Sequence, residues 1–265
     1  MKAELERPTI RVEDLRGISH AEGKALAERQ CTAMLELLRG LRPEEWTART
    51  DCELWAVQDI VAHLCGWAEA VSSPREMIRQ TRQIREQRSR FPTFLEAQNQ
   101  VQVESRVSLG PAGLLARLEL WAPRSLRARD RYGRFGKGIP FFYGAPLGAT
   151  NLAYVMDVIF TRDWFMHRID ITRGTGRQLD LGESEARLIA DMVRDWTRRF
   201  KPDMRLELTG PAGGSFVAGN GGRATATVDA VEFCRLQAGR ADVSVVGIDG
   251  DRAAAERWLA QAAPF

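Results

Sequence analysis

Apolar residues recur every three to four positions along most of the chain up to about residue 170, and glycines and prolines cut the pattern into successive helices. Ser19 and Glu22 have capping-box spacing, opening a helix through Ala25, Leu26, Met34, Leu35, Leu37 and Leu38 that Gly40 stops. Trp55 to Ala70 places Val57, Ile60, Val61, Leu64 and Trp67 on one helical face. Ser73-Pro74 starts an arginine-rich helix, which Phe91-Pro92 breaks, and Phe94 to Val107 begins another. Gly110-Pro111 opens the next, Leu114 to Leu126, with Pro123 expected to kink or end it. Residues 131–148 carry five glycines and two prolines and read as a long irregular connection, unusually apolar at Ile139, Phe141, Phe142 and Tyr143. Thr150 to about Asp170 is helical again.

Beyond Gly174 the period changes. A helix over Ser184 to Phe200 is followed by short strands around Leu206 and Leu208, Phe216 and Val217, and the alternating run Ala224 to Val228. Asp229 is an N-cap for a helix through Phe233 and Leu236, and after the apolar run Val243 to Val246 a last helix starts at Asp251. The expected organisation is a helical domain over residues 1–175 and a small α/β domain over residues 176–265.

Charge adds little to this picture. The 38 Lys and Arg stand against 35 Asp and Glu, a formal charge of +3, which does not call for a polyanionic partner. The arginines between Arg75 and Arg90 are interspersed with Glu76 and Glu86 and lack stacking aromatics, so they read as a solvated face rather than a nucleic-acid surface. No apolar run reaches the length of a membrane span and the N-terminus lacks a signal-peptide pattern, so a cytoplasmic protein is expected, with neither membrane nor nucleic acid as partner. The four cysteines, Cys31, Cys52, Cys65 and Cys234, form no Cys-x-x-Cys pair and read as small buried apolar groups.

Two of the three histidines stand in the middle of amphipathic helices, each preceded four residues earlier by an aspartate: Asp59 with His63, and Asp163 with His167. That spacing puts both side chains of a pair on one helical face. Helical bundles build metal sites from such inward-facing groups, and imidazole with carboxylate suits zinc or a neighbouring first-row ion. The competing reading is a hydrogen bond or ion pair along one helix face. For Asp59 it is a carboxylate placed favourably in the first turns of its helix.

Around these pairs the chain resembles a known family. Leu41 to Trp46 and Cys52 to Leu64 are similar to the N-terminal signature of the mycothiol-dependent maleylpyruvate isomerase family, a branch of the DinB-like metal-binding bundles, and Asp157 to Ile171 resembles the family's second metal-binding helix. Some members carry Glu where Asp163 stands. The resemblance implies a DinB-like up-down four-helix bundle followed by a small C-terminal α/β domain. It implies one divalent ion, zinc being the expected one, on His63, Asp163 and His167, with mycothiol as thiol co-substrate. Arg240 matches a position where relatives carry an arginine suited to an acidic co-substrate. The implied activity is isomerisation or S-transfer on a small electrophile through a metal-bound thiolate. The alternative, from a different class, is a DinB-like bundle that binds small molecules without catalysis.

Overall fold

The computed structural model describes residues 8–142 and 148–262, so Tyr143 lies outside the described residues. The chain divides into two compact units. One is Ser19–Leu179, and the other joins the residues up to Ile18 to those from Asp180 onward.

The chain opens with strand β1 (Thr9–Arg11), which pairs in parallel with a strand formed some 200 residues later and therefore belongs to the sheet unit. The helical unit follows: α1 (His20–Arg39), α2 (Val57–Ser72), α3 (Pro74–Gln87), α4 (Phe94–Glu104) and α5 (Gly110–Phe135). A short hairpin, β2 (Pro140–Phe142) with β3 (Ala149–Asn151), leads into α6 (Leu152–Tyr154), a π-helical turn (Val155–Ile159) and α7 (Phe160–Thr175). The Ser19 capping box forms as its spacing predicts, with Glu22 N–H donating to Ser19 Oγ and the Glu22 carboxylate accepting from Ser19 N–H. The core that holds α1, α2, α5 and α7 together is built from Met34, Leu38, Val57, Ile60, Val61, Leu64, Leu114, Leu118 and Ile171, all buried.

Two expectations change here. Pro123 neither ends nor shortens its helix: α5 runs to Phe135, because Leu118, Ala122, Ser125, Ala128 and Arg129 continue one buried stripe past it, and that burial outweighs one lost backbone hydrogen bond. The apolar connection is not irregular throughout either. Its Phe141 packs against the buried cluster of the helical unit that contains Trp67 and Phe160, whereas Phe142 is 78% exposed.

In the sheet unit, α8 (Glu183–Phe200) precedes β4 (Met204–Thr209), β5 (Gly214–Ala218) and β6 (Ala224–Asp229), then α9 (Ala230–Gln237), β7 (Gly247–Gly250) and α10 (Arg252–Leu259). The strand order is β1-β5-β4-β6-β7, with β4–β5 and β6–β7 antiparallel and β1–β5 and β4–β6 parallel. Met204, Leu206 and Leu208 alternate inward with Ala224, Ala226 and Val228. Trp196 of α8 meets the edge of Phe233 at 5.9 Å between ring centroids. Residues 243–245 form a single 3-10 turn, and the closing strand comes after them. The chain is thus mainly helical with a smaller α/β part, but the helical domain was expected to start at residue 1. A three-residue strand with no helical periodicity of its own could be assigned only once its partner, β5, was known.

No helix of the described residues is long and apolar enough to cross a membrane.

Candidate metal centre

α2 and α7 bring His63, Asp163 and His167 together. One ligand atom from each lies within 4.8 Å of the others. His63 Nε2 is 3.7 Å from Asp163 Oδ2, and His167 Nε2 is 3.4 Å from Asp163 Oδ1, so both imidazoles turn the same ring nitrogen toward one carboxylate. The two rings meet nearly edge to face, 5.3 Å between centroids. Both histidines are buried, and the Asp163 side chain keeps 21% of its surface exposed.

Burial disfavours charge on all three groups. At Asp163 the adjacent imidazoles outweigh it and hold the carboxyl well below the usual carboxylate range. At His167 the carboxylates of Asp163 and Asp170 outweigh it and raise the pKa well above that of a free imidazole. At His63 burial wins, and the pKa is lowered.

The donor set fits a divalent first-row ion. Asp163 Oδ2 is buried and accepts no hydrogen bond among the described residues, although it faces the His63 imidazole. Three nitrogen and oxygen donors with no thiolate among them leave a fourth tetrahedral position for a water or substrate atom, as in catalytic rather than structural zinc sites.

Around this trio the structure adds residues that the sequence did not single out. Asp170, fully buried one helical turn after His167, lies 2.9 Å from its Nδ1 and so holds the imidazole with Nε2 toward the centre. The Cys52 thiol donates to the same carboxylate oxygen at 3.2 Å, so this half-buried cysteine is not the apolar group expected of it. Trp55 lies over both rings, 5.0 Å from His63 and 6.0 Å from His167 between centroids. Cys52 and Trp55 share a tight loop in which Trp55 N–H donates to the Cys52 carbonyl and Thr50 Oγ1 donates to the Trp55 carbonyl. A Cβ at Gly174 of α7 would fall 2.5 Å from the Arg49 carbonyl oxygen, so the loop seats against the helix only because that position is glycine. The three-residue spacing of His167 and Asp170 was the available signal for that carboxylate. Cys52 and Trp55 stand in the stretch that carries the family resemblance, but their places beside the trio were not legible, since the loop's path is set by tertiary packing.

Asp59 stands apart from the trio. It accepts from Ala56 N–H at 2.9 Å and caps its own helix, as the first-turn reading expects. The thiol of Cys65 points into the core toward the Leu114 carbonyl. His20 lies between Asp157 and Asp130, about 3 Å from each. Arg240 belongs to the sheet unit, where its guanidinium donates to the Ala238 carbonyl.

The crystal structure of a mycothiol-dependent maleylpyruvate isomerase aligns over 91% of this chain and 96% of its own, with a TM-score of 0.60 at 15% identity, and a histidine-to-alanine variant of that enzyme aligns equally well. At that identity the likeness is one of fold. No curated protein matches the sequence. The profile of the mycothiol maleylpyruvate isomerase N-terminal domain matches residues 27–172, a stretch that includes His63, Asp163 and His167 and makes up more than half of the chain. The chain belongs to the mycothiol maleylpyruvate isomerase family.

Proposed function

We propose that the protein is a metal- and mycothiol-dependent enzyme that adds a thiol to a small electrophilic substrate, ending in isomerisation or in S-transfer. The observation that carries this reading is the convergence of His63 Nε2, Asp163 and His167 Nε2 within 4.8 Å in a chain of this family.

A zinc ion on these donors supplies a position at which a thiol is held as thiolate at neutral pH. The chain's own residues do the rest. Asp163 provides the one anionic donor, and its fixed charge offsets the cost of bringing a cation into a buried site. Asp170 keeps the His167 proton on Nδ1, leaving the Nε2 lone pair for the ion. Trp55 covers one side of both imidazoles and excludes water there. For Arg240 the support is the resemblance of its position. Arg240→Met is expected to raise KM for an acidic co-substrate without changing metal content.

The test is metal content by elemental analysis of wild type beside His63→Ala and His167→Ala, with thermal melting in the presence and absence of mycothiol. Near-stoichiometric zinc in wild type, lost in both variants, with stabilisation by the thiol, is the expected result. A wild type that takes up no metal and does not respond to mycothiol refutes the proposal and leaves a non-catalytic bundle.

A further inference from the structure

His167 has a carboxylate behind it, but His63 has none. Its Nε2 faces Asp163, and its Nδ1 is buried with no hydrogen-bond partner among the described residues. A buried ring nitrogen left unpaired is costly, and a ligating histidine almost always gives its second N–H to an acceptor.

The complementary orphan is in the same place. Gln102 of α4 is fully buried, its Oε1 has no donor among the described residues, and its side chain lies beside His63. Gln102 reaches there because residue 66, three positions after His63 on α2, is glycine: a Cβ at Gly66 would fall 2.5 Å from Gln102 Cγ and 2.6 Å from its Cβ. The opposite end of the amide is committed. Gln102 Nε2 donates to Gln80 Oε1 at 3.3 Å, and Gln80 Nε2 donates to the Gly66 carbonyl at 2.9 Å and to Glu76 Oε1 at 2.9 Å. Arg106, also buried, donates to the Gln102 backbone carbonyl. With its NH2 group turned to Gln80, Gln102 has its carbonyl oxygen as the unpartnered end of the amide.

We infer that Gln102 is the positioning residue of His63: its Oε1 accepts the Nδ1 proton when the ion is bound, fixing the tautomer that turns the Nε2 lone pair to the centre. This rests on the metal reading proposed above. The centre is then supported asymmetrically, with an anionic acceptor behind His167 and a neutral one behind His63. That limits the negative charge collected around a single divalent ion while leaving both rings oriented.

Zinc alone is the probe, titrated against a chromophoric chelator with the full chain as wild type, Gln102→Leu, Gln102→Glu and His63→Ala. Gln102→Leu keeps the volume and loses the acceptor, and Gln102→Glu keeps the acceptor and loses the donor to Gln80. The expected result is an affinity about 10- to 100-fold weaker in Gln102→Leu, with Gln102→Glu staying near wild type. Wild-type affinity in Gln102→Leu overturns the inference, as does equal weakening in both variants, which would trace the effect to the Gln80 contact. A wild type that binds no zinc, or a His63→Ala that binds it equally well, overturns the metal reading itself and is recognised by that control. Should Gln102→Leu not fold, nitrogen-15 imidazole spectra of zinc-loaded wild type decide. A His63 Nδ1 proton protected from exchange supports the inference, and one in fast exchange with water overturns it.

Discussion

Replacing Asp170 separates the metal centre from an ordinary buried ion pair. Asp170 is fully buried and 2.9 Å from His167 Nδ1, so in wild type it holds a ring whose other nitrogen faces the centre. Asp170→Asn keeps an acceptor oxygen but removes its charge, while Asp170→Leu removes the acceptor as well. A hydrogen bond to a charged group contributes about 1.5–3 kcal/mol. Loss of a histidine's outer partner costs about 10- to 100-fold in metal affinity, which at about 1.4 kcal/mol per decade is about 1.4–2.8 kcal/mol. The two routes agree, so Asp170→Asn is expected to weaken zinc binding about tenfold and Asp170→Leu about 100-fold. The assay is chelator competition, with melting of the metal-free protein alongside to separate loss of fold from loss of affinity. Zinc bound by Asp170→Leu within twofold of wild type would show that His167 does not depend on this carboxylate, and would refute the reasoning.

Three further outcomes follow from the geometry. Arg106 and Glu69 form a buried pair at 3.0 Å, 2% and 3% exposed, so Arg106→Met is expected to lower stability by about 3–5 kcal/mol in denaturant unfolding. Glu76 is held at about 2, below its ordinary 4.5, since hydrogen bonds from Arg79 and Gln80 and the charge of Arg106 outweigh its burial. Its contribution is therefore complete above its unfolded pKa and is lost as pH falls toward 2, and Glu76→Gln should flatten the melting temperature across that window. Burial pushes the Cys31 thiol up to about 11 and the Cys65 thiol to about 12, so iodoacetamide at neutral pH should leave both unmodified in the folded protein. The half-buried Cys52 should be the first of the four to react, as read by peptide mass mapping.

Much of the helical unit was legible because its helices carry their own punctuation. Ser19 with Glu22, Ser73 with Pro74 and Gly110 with Pro111 are local signals, and α1, α3 and α5 start where those signals stand. What failed was decided by distant packing. Nothing around Pro123 reveals that the helix continues, because the stripe that carries it past the proline is buried by α1, α2 and the π-helical turn. Strand β1 exists only as the parallel neighbour of β5. The second layer of the metal centre was hidden for the same reason. Gln102 lies 39 residues from His63, and it is the missing side chain at Gly66 that lets it approach.

The two Asp-x-x-x-His pairs show how far spacing alone can carry. Both put a carboxylate and an imidazole four residues apart, yet the carboxylates do different work because they stand at different heights in their helices. Asp59 is in the first turn of α2, where free backbone N–H groups compete for it, and it folds back onto Ala56 N–H. Asp163 stands four residues past the π-helical turn, so the chain before it is already helical and offers no such free donors; its carboxylate is left to face His167 and, across to α2, His63. The same sequence pair thus makes a cap at a helix start and, within a helical run, a carboxylate that faces two imidazoles. For such a pair, the informative question is whether the backbone above the carboxylate is already hydrogen-bonded.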